Sequence, residues 1–132
     1  MIFVDASAIV AIITREPESD EMQLKLENHA RRATSGIAVY EASLAIARKQ
    51  SFAVFDAYTF VRRFLKDADV ELIALGDPET QAALEAFDRF GKGRHPAKLN
   101  MGGCFAYAAA RAYGATLLFK GEDFSQTDIE IA

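Results

Sequence analysis

The chain has 132 residues, 51% of them apolar and 26% charged, with a formal net charge of −4 at pH 7. This is one domain's worth of chain with an ordinary globular composition, which excludes disorder as the default, and its acidic balance counts against a sequence-independent nucleic-acid binder. A single cysteine, Cys104, excludes an internal disulfide and, without metal-ligand spacing, a structural zinc site; it points to a reducing compartment, here the cytoplasm.

Ile2-Phe3-Val4-Asp5 reads as a buried strand over 2–5 that delivers one carboxylate to the edge of a sheet, where a helix over 7–14 begins. In open α/β sheets that edge holds ligands and chemistry. The plainer reading of Asp5 is a strand-end acid capping the next helix. The apolar run is cut by Asp5, has no basic residues before it and stops near Thr14-Arg15-Glu16, which is neither a signal peptide nor a membrane span. Pro17 suits the first turn of a second helix reaching about residue 30. A short strand near 33–37 follows, then a helix around 39–49 with Tyr40, Leu44 and Ala47 on one face. A helix at 53–67 carries Phe55, Tyr58, Val61, Phe64 and Leu65 as a stripe suited to the core or to a dimer contact.

Glu71 to Leu75 reads as a strand, and the Gly76-Asp77-Pro78 turn opens a helix of roughly 78–91. Gly91 to Pro96 reads as a flexible basic loop. A helix over about 102–113 ends at Gly114, which fits a C′ glycine. Thr116 to Phe119 is a buried strand, followed by a turn at Gly121-Glu122-Asp123-Phe124 and a last short strand near 128–131. Strands alternating with helices imply a single α/β domain over 1–132, with a central, mostly parallel sheet of four or five strands flanked by helices.

Asp5, Glu41 and the Glu122-Asp123 pair stand where strands or short turns end, so a parallel sheet can bring them to one edge. Clustered carboxylates raise one another's pKa unless a cation neutralises them. A hard divalent ion does so with oxygen ligands, commonly one or two carboxylates plus substrate phosphates. It can also activate water against a phosphodiester. The alternative for Glu122-Asp123 is a capped surface turn. Lys92, Arg94, His95 and Lys98, with the pairs Arg31-Arg32 and Arg62-Arg63, are candidate phosphate contacts or a solvated face.

Other constellations are missing. No second Asp follows Asp5 at the two-residue spacing of haloacid-dehalogenase-type phosphatases, and no glycine-rich phosphate loop exists. His29 and His95 lack partners at ligand spacing and read as surface residues. Cys104 reads as a small packed residue on an alanine-rich helix rather than an activated thiol.

Four segments, in order, resemble the PIN-domain ribonucleases, specifically the VapC-type toxins of bacterial type II toxin–antitoxin systems. They are Ile2 to Ala8, Tyr40-Glu41-Ala42, His95 to Asn100 running on to Cys104-Phe105-Ala106-Tyr107-Ala108, and Leu117 to Phe124 with Thr127-Asp128-Ile129. The resemblance implies that Asp5 binds Mg²⁺ or Mn²⁺ with Ser7 supporting the pocket. It implies that Glu41 completes the acidic cluster and that the outer acid is Glu122 or Asp123. It further implies endonucleolytic cleavage of RNA, an antitoxin that wraps the toxin, a homodimer and a larger complex with the antitoxin. One position departs: the family reads Gly-Asp-Cys where this chain reads Gly102-Gly103-Cys104, so position 103 is a vacated metal-ligand site. A first ligand lost should weaken metal binding by more than the roughly 10–100-fold typical of supporting residues. The resulting expectation is a metal-dependent endoribonuclease toxin weakened at Gly103, with Lys92, Arg94 and Lys98 as RNA contacts. The alternatives are an inactive PIN module that binds antitoxin or RNA without cutting, and a metal-dependent phosphomonoesterase.

Overall fold

Ile2, Phe3 and Val4 are all essentially inaccessible to solvent, which requires the first strand, β1 (Ile2–Val4), to sit inside a sheet covered on both faces. The computed structural model, which describes residues 1–132, shows that arrangement. In chain order the elements are β1, α1 (Ala6–Ile13), α2 (Ser19–Glu27), β2 (Arg32–Ser35), α3 (Gly36–Gln50) and α4 (Val54–Asp67). They continue with β3 (Glu71–Ile73), α5 (Asp77–Phe90), α6 (Met101–Tyr113), β4 (Thr116–Leu118) and a 3₁₀ turn at Phe124–Gln126. The four strands run parallel in the order β3-β2-β1-β4.

The alternation of side chains along β1 builds two cores. Ile2 and Val4 face the layer of α1, α3 and α4, with Ile9, Ile12, Ile46, Val61 and Leu65. Phe3 faces the opposite layer of α5 and α6, with Phe90, Leu99, Tyr107 and Leu117. At the C-terminal edge β1 and β4 end level: Val4 pairs with Leu118, and the Asp5 N–H donates to the Leu118 carbonyl at 3.0 Å. The buried Thr34 hydroxyl donates to the Val4 carbonyl at 2.7 Å and ties β2 to the same edge.

Several expectations change. The second helix starts at Ser19, after Pro17 rather than at it, and the strands near 33–37 and 71–75 end at Ser35 and Ile73. The expected strand near 128–131 is a single bridge between Leu117 and Ile131, so the sheet has four strands and not five. A side chain adds to that bridge in pinning the tail: the Asp128 carboxylate accepts from the Tyr107 hydroxyl at 2.5 Å and from Arg89 at 3.1 Å. The basic loop after α5 is structured. Lys92 N–H donates to the Leu99 carbonyl and Leu99 N–H to the Phe90 carbonyl, both at 3.0 Å, while Ala97 and Leu99 are buried. Of the aromatic stripe on α4, Val61 and Leu65 enter the core, whereas Phe55 is 79% exposed.

Arg32 is not part of a solvated face; its guanidinium donates to the backbone carbonyls of His29, Ala68 and Glu27. Arg31 pairs with Glu71 at 2.8 Å. His29 and His95 are half-buried rather than on the surface. His29 Nδ1 lies 2.8 Å from the Lys25 carbonyl, and His95 Nδ1 accepts from the Ala97 N–H at 3.1 Å. No helix is long and apolar enough to cross a membrane.

Candidate active site

A cavity of about 200 Å³ opens at the C-terminal edge of β1 and β4, lined by Asp5, Ser7, Glu41, Asn100, Gly103, Lys120 and Asp123 among others. Asp5 reaches it because β1 ends there. Its Oδ2 accepts from the Ser7 hydroxyl at 2.5 Å and the Ser7 N–H at 3.1 Å, which also makes Asp5 the N-cap of α1. Asp5 thus both caps α1 and lines the cavity. Ser7 Oγ in turn accepts from the Lys120 N–H at 3.0 Å. One hydroxyl thus joins the ends of β1 and β4 and fixes the carboxylate between them.

Glu41 arrives from α3, whose start is set by Ser35 accepting from the Ala38 N–H at 3.2 Å. The Glu41 side chain is half-buried on the cavity wall. Asp123 comes from the turn after β4 and lines the cavity, whereas its neighbour Glu122 is exposed and does not. Gly103 is the third residue of α6, and its N–H donates to the N-cap Asn100 side chain at 2.9 Å. A Cβ built on Gly103 would lie 3.3 Å from the Leu99 Cδ2, so a side chain at 103 fits after a small shift of a flexible neighbour.

The electrostatics are those of a crowded acidic pocket. Burial pushes the Asp5 carboxyl above the usual carboxylate range; the Ser7 hydrogen bonds oppose this, and the Asp123 charge adds to it. Burial likewise raises Glu41, and the Asp5 charge raises it further. The cavity offers only oxygen donors from side chains, apart from the Lys120 ammonium and the Asn100 amide nitrogen. No three carboxylate, imidazole or thiol groups stand close enough to cage a metal ion. The donor set fits a hard, hydrated cation held by one or two carboxylates, as Mg²⁺ and Mn²⁺ prefer, and not a closed site.

A PIN-domain family model matches residues 2–130. The chain belongs to the PIN-domain family. Within it, a VapC ribonuclease of Rhizobium meliloti is 37% identical across 98% of this chain and 99% of that protein. Ribonuclease VapC30 of Mycobacterium tuberculosis is 38% identical across 96% of this chain and 94% of that protein. This PIN domain is therefore of the VapC type. The crystal structure of Mycobacterium tuberculosis VapC20, a sarcin–ricin loop cleaving toxin, superposes with a TM-score of 0.78. That match spans 100% of this chain and 98% of VapC20 at 16% identity, and it establishes the shared fold.

The fold of this PIN domain gathers Asp5, Ser7, Glu41, Asp123 and position 103 around one cavity and leaves Lys92, Arg94 and Lys98 outside it. Arg94 is engaged elsewhere, 3.2 Å from Asp88 and stacked over Phe87. Sequence reasoning passed over Lys120 and Asn100. Lys120 pairs with Glu16 and, at 3.0 Å, with Glu18, while Glu16 also holds Lys49 at 2.5 Å. These two ammonium groups keep the Glu16 carboxyl down at about 2. A helix start just after Leu99 was the available signal for Asn100; Lys120 had none, since its partners lie more than 100 residues away. Cys104 is buried and burial pushes its thiol up, as suits a packing residue.

Proposed function

We propose that this chain is the toxin of a toxin–antitoxin pair and hydrolyses RNA phosphodiester bonds with a hydrated Mg²⁺ or Mn²⁺ bound at Asp5, on which Glu41 and Asp123 act from the cavity wall. The observation that carries this reading is the convergence of three acids from distant parts of the chain, the buried Asp5 among them, on one sheet-edge cavity. A bound divalent ion supplies Lewis-acid activation of water and neutralises charge on the phosphodiester. Asp5 is the fixed ligand, held in one rotamer by Ser7. Glu41 is less buried and makes no hydrogen bond, so its carboxyl is free to hold and orient a water molecule. Asp123, on an exposed turn, is the outer acid in place of Glu122.

Position 103 is the open corner of this site, and Gly103 lowers activity because it supplies no carboxylate to a set that has few. Lys98 precedes the cavity-lining Leu99-Asn100 by one residue, and neither it nor Lys92 forms an ion pair, so both are available to RNA phosphates. Exposed Tyr40, Phe55, Leu84 and Met101 supply apolar area for an antitoxin or a second copy to cover. The reading is tested by incubating structured RNA with the Gly103→Asp protein in Mg²⁺. Cleavage that disappears with EDTA and with Asp5→Asn supports it; cleavage unaffected by Asp5→Asn refutes the site. A module that binds RNA or antitoxin without cutting is favoured by one observation, the absence of any side chain at Gly103 on the cavity wall. RNA binding without cleavage by both this chain and Gly103→Asp would select it.

A further inference from the structure

Two adjacent glycines in the first turn of α6 are costly, because glycine loses more backbone freedom in a helix than any other residue. The two are not equivalent. At Gly103 a Cβ meets only the Leu99 and Asn100 side chains, at 3.3 Å and beyond. At Gly102 a Cβ would fall 1.9 Å from Glu41 Oε1, 2.2 Å from Oε2 and 2.3 Å from the carboxyl carbon. The Glu41 carboxyl therefore occupies the space that any other residue at 102 would fill. Nothing else lies as near.

We propose that Gly102 is a positioning residue: its bare Cα on α6 is the seat that holds the Glu41 carboxyl on the cavity wall. The inference rests on the reading of Glu41 as a site acid and assigns a cause to its placement. Glu41 makes no hydrogen bond or ion pair that would hold it there, so packing against Gly102 is what keeps it in place. The atoms in the way belong to the far end of a flexible, half-buried side chain. Alanine at 102 turns that side chain away from the cavity at little cost to the fold. Gly91 is the contrasting case, since a Cβ there would meet the Phe87 carbonyl oxygen at 2.4 Å, and backbone cannot swing aside. A structural glycine and a positioning glycine thus predict opposite effects on stability.

The test has two readouts, the first free of metal. Thermal melting of Gly102→Ala, Glu41→Ala and the double variant forms a cycle. Gly102→Ala is expected to hold or raise the melting temperature, by up to about 2–4 °C, and to raise it more when residue 41 is alanine. Gly91→Ala is expected to lower it. The second readout is Mn²⁺ titration in the Gly103→Asp background. There Gly102→Ala should weaken binding at least about tenfold, and Glu41→Asp, one methylene shorter, should restore part of it when combined with Gly102→Ala. Additive melting changes, or Mn²⁺ affinity unmoved by Gly102→Ala, would overturn the proposal. If no variant binds Mn²⁺, the metal reading of the preceding section fails and the melting cycle alone decides the seat.

Discussion

Asp5→Asn should make this protein more stable while disabling its site. Asp5 is 8% exposed, and its Oδ2 accepts two hydrogen bonds from Ser7. Asparagine keeps the size, the N-cap role and one carbonyl oxygen for the same bonds. What it removes is a buried negative charge that also faces the charges of Asp123 and Glu41. The folded-state pKa of Asp5 lies above the ordinary carboxylate value of 3.8, chiefly through burial. Between 3.8 and the higher folded value the native state holds a proton that the unfolded chain has lost, and above the folded value ionised Asp5 opposes folding. Relief of a buried, under-compensated group is worth about 1–3 kcal/mol, and for a chain of this length each kcal/mol moves the melting temperature by about 3–5 °C. Melting curves without metal should show Asp5→Asn above the parent at pH 7. The gap should narrow as pH falls through the folded pKa towards 3.8, where the parent becomes protonated as well. A lower melting temperature for Asp5→Asn at pH 7 would refute the claim that this carboxylate is held at a cost to the fold.

Ser7→Ala removes the hydroxyl that joins Asp5 to the Lys120 N–H, and a loss of about 1–2 kcal/mol with weaker Mn²⁺ binding is expected from melting and titration. Asp128→Asn tests the tail anchor. The Tyr107 hydroxyl, foremost, and Arg89 hold the Asp128 carboxyl below 3.8, so its contribution is present above that pH and lost as pH falls through the folded value. About 1 kcal/mol is expected at pH 7, kept small by the exposure of the carboxylate, and the difference should vanish in acid melts. Lys98→Ala should weaken RNA binding at every sequence and lower the salt slope by about one, whereas Arg94→Ala, already paired with Asp88, should change little; filter binding over a salt series reads both.

The fold was legible because its signals were local. A short β-branched apolar run ending in an acid just before helical spacing reads as a buried strand, and Gly114 closes α6 in the left-handed conformation a C′ glycine favours. Asp5, Ser7 and Glu41, singled out as strand-end and motif residues, line one cavity. What escaped was set by tertiary contacts. Neither Glu122 nor Asp123 carries a local mark of which one faces the cavity; the turn geometry after β4 decides it. Arg31-Arg32 looks like a basic pair, yet three backbone carbonyls, two around the end of α2 and one just after α4, claim Arg32. The strand expected near 128–131 shrinks to one bridge, two backbone bonds between Leu117 and residues 130 and 132, and the Asp128 carboxylate supplies the rest of the tail's anchorage. The loop after α5 looked flexible from its glycines and charges, but the burial of Ala97 and Leu99 fixes it.

The central claim is that the sheet-edge acids form a metal-dependent RNA-cleaving site whose open corner is position 103. Its most direct test is side-by-side cleavage of RNA by this chain and by Gly103→Asp, each in Mg²⁺, Mn²⁺ and EDTA. Cleavage by Gly103→Asp is expected to exceed that of the parent by more than about tenfold and to be abolished by EDTA. Equal, metal-dependent cleavage by the two proteins would show that Asp5, Glu41 and Asp123 suffice and would contradict the role given to position 103. Cleavage that persists in EDTA would contradict the metal site itself.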